Sequence, residues 1–173
     1  VSTDSSDSGW MIKLDSHTVR SPAGALLNLP SSDLAMAVAE EWMAQGETIN
    51  PASMPLFSLS VTVVDRVMSQ QMAIISELAS YGDNDLLCYR SDDDELAGRQ
   101  QQQWQPWIDW AGTEFHVNLR IAKGIMPVTQ PDVSGFKAPL QKLDVWRLCV
   151  LHRAVSLGGS LVLGLGFVAG RID

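Results

Sequence analysis

Three histidines, two cysteines and a scatter of serines are the side chains here best able to do chemistry, and their spacing does not bring them together. His17 falls in a hairpin turn, His116 at a helix end and His152 within a helix. No pair sits at i, i+4, so no single helix can present two metal ligands. Each histidine reads as a surface or capping residue, and no metal is expected. Cys88 and Cys149 lie in apolar stretches without a Cys-x-x-Cys. They read as buried thiols of a reducing compartment, with one disulfide left open. No Gly-x-Ser-x-Gly elbow occurs, and nothing beside Ser156 or Ser160 would activate either hydroxyl. Gly164, Gly166 and Gly170 imitate a dinucleotide loop. No helix follows to hold a pyrophosphate, and no acidic residue follows for a ribose. No catalytic residue and no cofactor is expected.

Tryptophan is the stronger signal. Trp104, Trp107 and Trp110 share one helical stretch. At ~100° per residue they are spaced about 60° apart and cover a wide arc. Either the helix is enclosed on several sides, or one tryptophan reaches a partner, as tryptophans at interfaces often do.

Composition bounds the alternatives. The chain has 173 residues, of which 46% are hydrophobic and 18% charged, enough to build a core in one domain or two small ones. The net charge of −8 is the wrong sign for a protein that tracks phosphates, so no nucleic-acid partner is expected. Residues 1–95 hold 15 acidic and 4 basic side chains, whereas residues 96–173 hold 5 and 8. The two parts therefore present different surfaces. The uncharged run from Arg153 to Arg171 is short for a membrane span and rich in glycine. It reads as a core helix whose glycines let a neighbouring element approach. The start, Val1 to Ser8, has no basic flank and apolar run of a secretory signal. It reads as a flexible, polar leader of a fragment or processed form.

The elements that must position these residues follow from pattern. Gly9–Leu14 reads as a strand, Asp15 to Thr18 as a turn, Val19–Pro22 as the returning strand, and Ala25–Leu29 as a third. Ser31-Ser32-Asp33 caps a helix carrying Leu34, Val38 and Trp42, which Gly46 stops. The breaker cluster Asn50 to Pro55 is the candidate boundary. Helical spacing then runs from Leu56 to Tyr81, and Leu86 to Tyr89 is too short to assign. An acidic start at Asp92 to Glu95 leads a helix to Phe115 that Pro106 should kink or restart. Arg120 to Val128 reads as a strand or extended link, and a last helix runs from about Leu140 through Val155. The fold class is α+β: a β-rich domain with one helix over residues 1–54, then a mainly α-helical domain over residues 55–173.

Several stretches, in this order, carry a resemblance. Leu14-Asp15 with Val19-Arg20-Ser21-Pro22 is similar to an "LDGRPVRTP" hairpin. Leu29-Pro30 and Ala39-Glu40-Glu41-Trp42-Met43-Ala44-Gln45 are similar to "LP…AxEWxAQ". Met54-Pro55-Leu56 and Val64-Asp65-Arg66-Val67 are similar to "MPL…IDRV". Asp85 to Arg90 matches "DLLCYR", Gln102 to Ala111 resembles "QxxWDPLLDWA", and Gly159 to Leu165 resembles "GSLVLGLA". Together, from about residue 9 to 173, they resemble the assembly chaperone family for the soluble head of F-type ATP synthase, also called ATP synthase assembly factor 2.

The resemblance implies binding rather than chemistry. Such a chaperone holds the newly made alpha subunit of the ATP synthase head until it pairs with the beta subunit, in the mitochondrial matrix of a eukaryote or the cytoplasm of a bacterium. It implies a β-rich part and a helical part, as composition does. It also implies that a short first strand and further acidic C-terminal helices of the family lie outside this chain. Tyr89, Arg90, Trp107, Trp110 and Arg147 are the candidates for the working surface, each equally open to a packing or solvated role. Two rival readings stand beside this one. One is a structural subunit of a large complex reusing the fold, and the other is an enzyme or small-molecule binder in the cleft between the two parts.

Overall fold

The computed structural model describes residues 1–6 and 9–172. Its elements confirm the α+β class: antiparallel strands come first and helices dominate thereafter. Ser2–Ser6 (β1) pairs antiparallel with Gly9–Leu14 (β2), which pairs with His17–Thr18 (β3). A strand thus occupies most of the stretch expected to be a flexible leader, and it precedes the strand at Gly9. Its backbone groups are satisfied by β2 whatever the polarity of its side chains. The rest of that expectation falls on Asp7 and Ser8, outside the described residues. The β2–β3 loop is two residues long, and Asp15 and Ser16 both take positive φ (45° and 72°), as a tight hairpin of this twist demands. The returning strand begins at His17, earlier than expected. The expected strands Val19–Pro22 and Ala25–Leu29 form only single bridges, Arg20 to Leu26 and Leu29 to Trp10, and Pro22 already belongs to the turn that the Gly24 N–H closes on the Ser21 carbonyl at 2.9 Å.

Ser32–Met43 (α1) starts where the capping signal placed it, with the Ser31 hydroxyl accepting the Leu34 N–H at 3.3 Å. Its apolar stripe covers the β-sheet, and Ile12, Leu27, Leu29, Ala35 and Val38 are wholly buried together with Met54 and Val63. Pro55–Thr62 (α2) follows the breaker cluster. A π-turn at Val63–Val67 leads into Met68–Ser80 (α3). At Gln70 the backbone leaves helical geometry (φ −119°, ψ 19°), and there the chain divides into two compact units, Val1–Gln70 and Gln71–Asp173. Residues 55–70 thus belong to the first unit, although the helical run begins at the breaker cluster.

In the second unit, the unassigned stretch folds as a short turn of helix, Leu86–Cys88, and a strand, Tyr89–Arg90 (β4). Asp94–Phe115 (α4) runs unbroken through Pro106, contrary to the expected kink. Pro106 and Gln102, whose carbonyl loses its partner, are both exposed, so water can replace the missing bond. Only Ala122–Lys123 (β5) of the stretch from Arg120 to Val128 is strand, parallel to β4. The last helix, expected from about Leu140 through Val155, is two, Lys137–Gln141 (α5) and Val145–Gly158 (α6), and the uncharged run adds Leu161–Val168 (α7). Asp144 forces the first break, since its carboxylate accepts the N–H groups of Trp146 and Arg147, both at 2.9 Å. No helix among the described residues is long and apolar enough to cross a membrane. The uncharged run instead ends α6, turns at Gly159 and forms α7. There a Cβ on Gly164 would stand 2.7 Å from Val155 and 2.8 Å from Leu151, the close approach its glycines suggested.

Candidate functional site

Two of the motif clusters have an internal, positioning role. Glu41 of α1 and Gln45, two residues past its end, lie in the stretch similar to "AxEWxAQ". In the structure the Glu41 carboxylate accepts the N–H groups of Leu56 and Phe57, both at 2.8 Å, and so caps the start of α2 from another helix. Gln45 accepts the Asn50 N–H at 2.8 Å and donates to Ser53, fastening the breaker cluster beneath it. Trp42 stands edge-on to Phe57, with ring centres 5.0 Å apart.

The second cluster is Asp85 to Arg90. Asp85 is wholly buried, and its carboxylate accepts the Leu87 N–H at 3.0 Å and the Val162 N–H at 3.1 Å. One side chain thus ties the stretch Leu86–Cys88 to the start of α7. Burial pushes the Asp85 carboxyl above its ordinary value, against the opposing pull of these hydrogen bonds. Cys88 is buried beside it, and desolvation, reinforced by Asp85, pushes the thiol up to about 12. Cys88 and Cys149 are both buried free thiols, as expected from their contexts. His116 ends α4 in the left-handed conformation, a capping position as expected.

An aromatic chain leads from α4 into the unit. Trp107 meets Trp110 edge-on at 5.8 Å, Trp110 meets Phe115 at 4.9 Å, and Phe115 meets Phe136 at 5.7 Å. All three tryptophans of α4 are half-buried. Trp104 lies under the Arg90 guanidinium at 5.4 Å, and Trp107 lies against Gly166 of α7. Trp110 faces a groove of about 360 Å³. The groove's floor is apolar, made by Phe115, Leu143, Leu165 and Val168, and its charged groups are Glu114, Arg147 and Arg171.

The chain end places Arg171. Gly170 takes a positive φ of 67°, and the Arg171 N–H returns to the Gly166 carbonyl at 2.9 Å. This left-handed cap turns the chain back, and the guanidinium stacks 5.1 Å over the Trp110 ring. Arg147, in the first turn of α6, is largely exposed and lies 3.7 Å from Asp144. The indole N–H of Trp110 is buried without a hydrogen-bond partner.

The structure therefore brings together two of the five sequence candidates, Trp110 and Arg147. Tyr89 lines a separate shallow pocket with Tyr81, Asn84 and Leu86. Arg90 is buried, bonded to the Leu87 carbonyl and stacked on Trp104. Trp107 stands behind the groove. Arg171 was missed by sequence reading. Its only signal there was a glycine one residue earlier.

Comparison with known proteins places this architecture. The family model described as ATP12 chaperone protein matches residues 1–112. "Protein atp12, mitochondrial" of Schizosaccharomyces pombe is 23% identical over 178 residues, spanning 94% of this chain; this chain spans 61% of that relative's length. The crystal structure of Atp12 from Paracoccus denitrificans is 40% identical and covers 99% of this chain and 75% of its own, with a TM-score of 0.92. The Atu1473 protein of Agrobacterium tumefaciens is 33% identical and covers 99% of this chain and 66% of its own, with a TM-score of 0.90. The fold, the family model and the close bacterial structures agree with the motif order, and the chain belongs to the ATP12 chaperone family.

Proposed function

We propose that this protein is an assembly chaperone that binds the unassembled alpha subunit of the F-type ATP synthase head and holds it until the beta subunit takes its place. It acts by lending a surface and makes or breaks no bond. An unassembled subunit exposes interface that would aggregate, and a partner that covers it reversibly prevents this. Membership of the chaperone family carries the reading. The open groove of the second unit, apolar on its floor and bordered by Trp110 and Arg147, supports it as a place where another chain can bind. In this reading Trp110 and Arg147 touch the client, Trp107 braces Trp110 edge-on, Arg90 steadies Trp104 further along α4, and Tyr89 serves a second, weaker contact. The setting is the mitochondrial matrix if the source is a eukaryote and the cytoplasm if it is a bacterium.

Co-expression with the alpha subunit from the same organism, followed by size-exclusion chromatography, tests this reading. A co-eluting pair that lacks the beta subunit is expected. Alpha subunit that never co-elutes and aggregates as fast as it does alone would overturn it.

A further inference from the structure

We propose, resting on the chaperone reading above, that the outer face of α1 takes an amphipathic helix of the alpha subunit, with apolar side chains against Met36 and Met43 and lysine or arginine beside them. Two independent properties of α1 lead there. The first is apolar. At ~100° per residue, Asp33, Met36, Ala37, Glu40, Met43 and Ala44 fall in one arc of about 120°, on the side away from the buried Ala35, Val38 and Ala39. The outward stripe of a surface helix is ordinarily polar. Here four of the six residues are apolar, and Met36 and Met43 are 51% and 61% exposed. Methionine is long, flexible and polarisable, and so moulds itself to another chain. Alanine beside it lets a second helix come close.

The second property is charge. Glu40 sits in the last turn of α1, at the negative end of the helix dipole, and no basic residue in that turn offsets it. Among the described residues, no cation lies within ion-pair distance of Asp33 or Glu40. The first unit has few cations to spare. Residues 1–70 hold eight acidic side chains and three basic ones. Lys13 pairs with Asp4 at 2.5 Å, Arg20 donates to the Gly24 carbonyl at 2.8 Å, and Arg66 donates to Gln70 at 3.5 Å. Glu41, by contrast, has its charge met by the N–H groups of Leu56 and Phe57. The two carboxylates of the stripe run between the methionine row and the alanine row. An incoming helix with basic residues beside its apolar ones would supply the missing cations, and an acidic one would be repelled.

The test uses two fluorescent helical peptides with the same apolar stripe, one carrying lysines and the other glutamates at the polar positions. Anisotropy is read with the whole chain and with Asp33→Lys/Glu40→Lys, whose fold is checked by circular dichroism. Should that pair misfold, Asp33→Gln/Glu40→Gln replaces it. The basic peptide should bind wild type, weaken as salt rises, and bind the charge-reversed pair about tenfold or more weakly. The acidic peptide should bind wild type at least about tenfold more weakly than the basic one. Two further variants separate a docking surface from attraction to a chain of net charge −8. Met36→Ser/Met43→Ser keeps every charge and should still weaken the basic peptide severalfold. Glu95→Lys/Asp109→Lys makes the same change of charge on α4 and should bind it as wild type does. Equal binding of both peptides, equal loss in the two lysine pairs, or indifference to the methionine changes would overturn the proposal. So would self-association of wild type that the α1 substitutions abolish, since a second copy would then cover the face. The alpha subunit is run in parallel. If it binds wild type and all α1 variants alike, the α1 surface fails and the chaperone reading stands. If it binds none of them, including wild type, the chaperone reading fails and takes the named occupant with it.

Discussion

Gly166 lies under the indole of Trp107 so closely that a Cβ there would stand 2.7 Å from Cζ3. Helix propensity alone makes Gly→Ala in a helix favourable by up to about 1 kcal/mol. Here the neighbouring ring must move, and its motion is resisted by the edge-on contact with Trp110. Gly166→Ala is therefore expected to destabilise the protein by roughly 1–3 kcal/mol, the range for overpacking. Gly158, near the end of α6, has open space around its Cβ position, and Gly158→Ala should be neutral or slightly stabilising. Urea midpoints of the two variants check this, and a stabilised Gly166→Ala would contradict the contact.

The β2–β3 hairpin carries strain that one substitution relieves. Asp15 and Ser16 both sit at positive φ, where a side chain is disfavoured. The chaperone motif that this hairpin resembles has glycine at the second position. Ser16→Gly is expected to raise stability by about 0.5–1 kcal/mol, read as a higher melting temperature. A drop would show that the Ser16 side chain contributes something the hairpin geometry does not reveal.

Glu41 provides the clearest case of a charge with an internal task. Glu41→Ala leaves the N–H groups of Leu56 and Phe57 without their acceptor. A loss of about 1–3 kcal/mol is expected, with Glu41→Gln intermediate, since it keeps one oxygen. Equal stability of all three proteins by chemical denaturation would contradict the cap.

Asp85 predicts a pH dependence. Its carboxyl is raised above 3.8 in the folded protein by burial. The folded state therefore holds this proton more tightly than the unfolded chain does. The contribution is full below 3.8 and is lost as pH rises through the folded value. Compared with Asp85→Asn, which cannot ionise, wild type should lose relative stability as pH climbs from below 4 toward neutrality. Denaturation of both proteins across that range reads it, and a relative gain with rising pH would contradict the sign.

Much of the framework was legible in the residues, and the failures have local causes. Ser31 to Asp33 with the stripe Leu34, Val38 and Trp42 gave α1, because cap and periodicity act within a few residues. Ser2–Ser6 was missed because a strand can be defined by its partner's backbone rather than by its own polar side chains. Asp144 was a readable cap, overlooked because apolar spacing continues across it. The tasks of Glu41 and Asp85 were hidden for a different reason. Leu56 lies 15 positions from Glu41 and Val162 lies 77 positions from Asp85, and spacing rules do not reach that far, although the Asp85 bond to Leu87 is local. The groove was half visible. Trp110 and Arg147 stood out by type, whereas Arg171 depends on the turn at Gly170, and that turn matters only once α7 is packed against α4.

The proposed role is temporary custody of the alpha subunit. The most direct measurement adds purified beta subunit to an isolated complex of this protein with the alpha subunit and follows the products by size-exclusion chromatography. The alpha subunit is expected to move to the beta subunit, leaving this protein to elute free. A stable three-component particle, or a complex that the beta subunit leaves untouched, would contradict it.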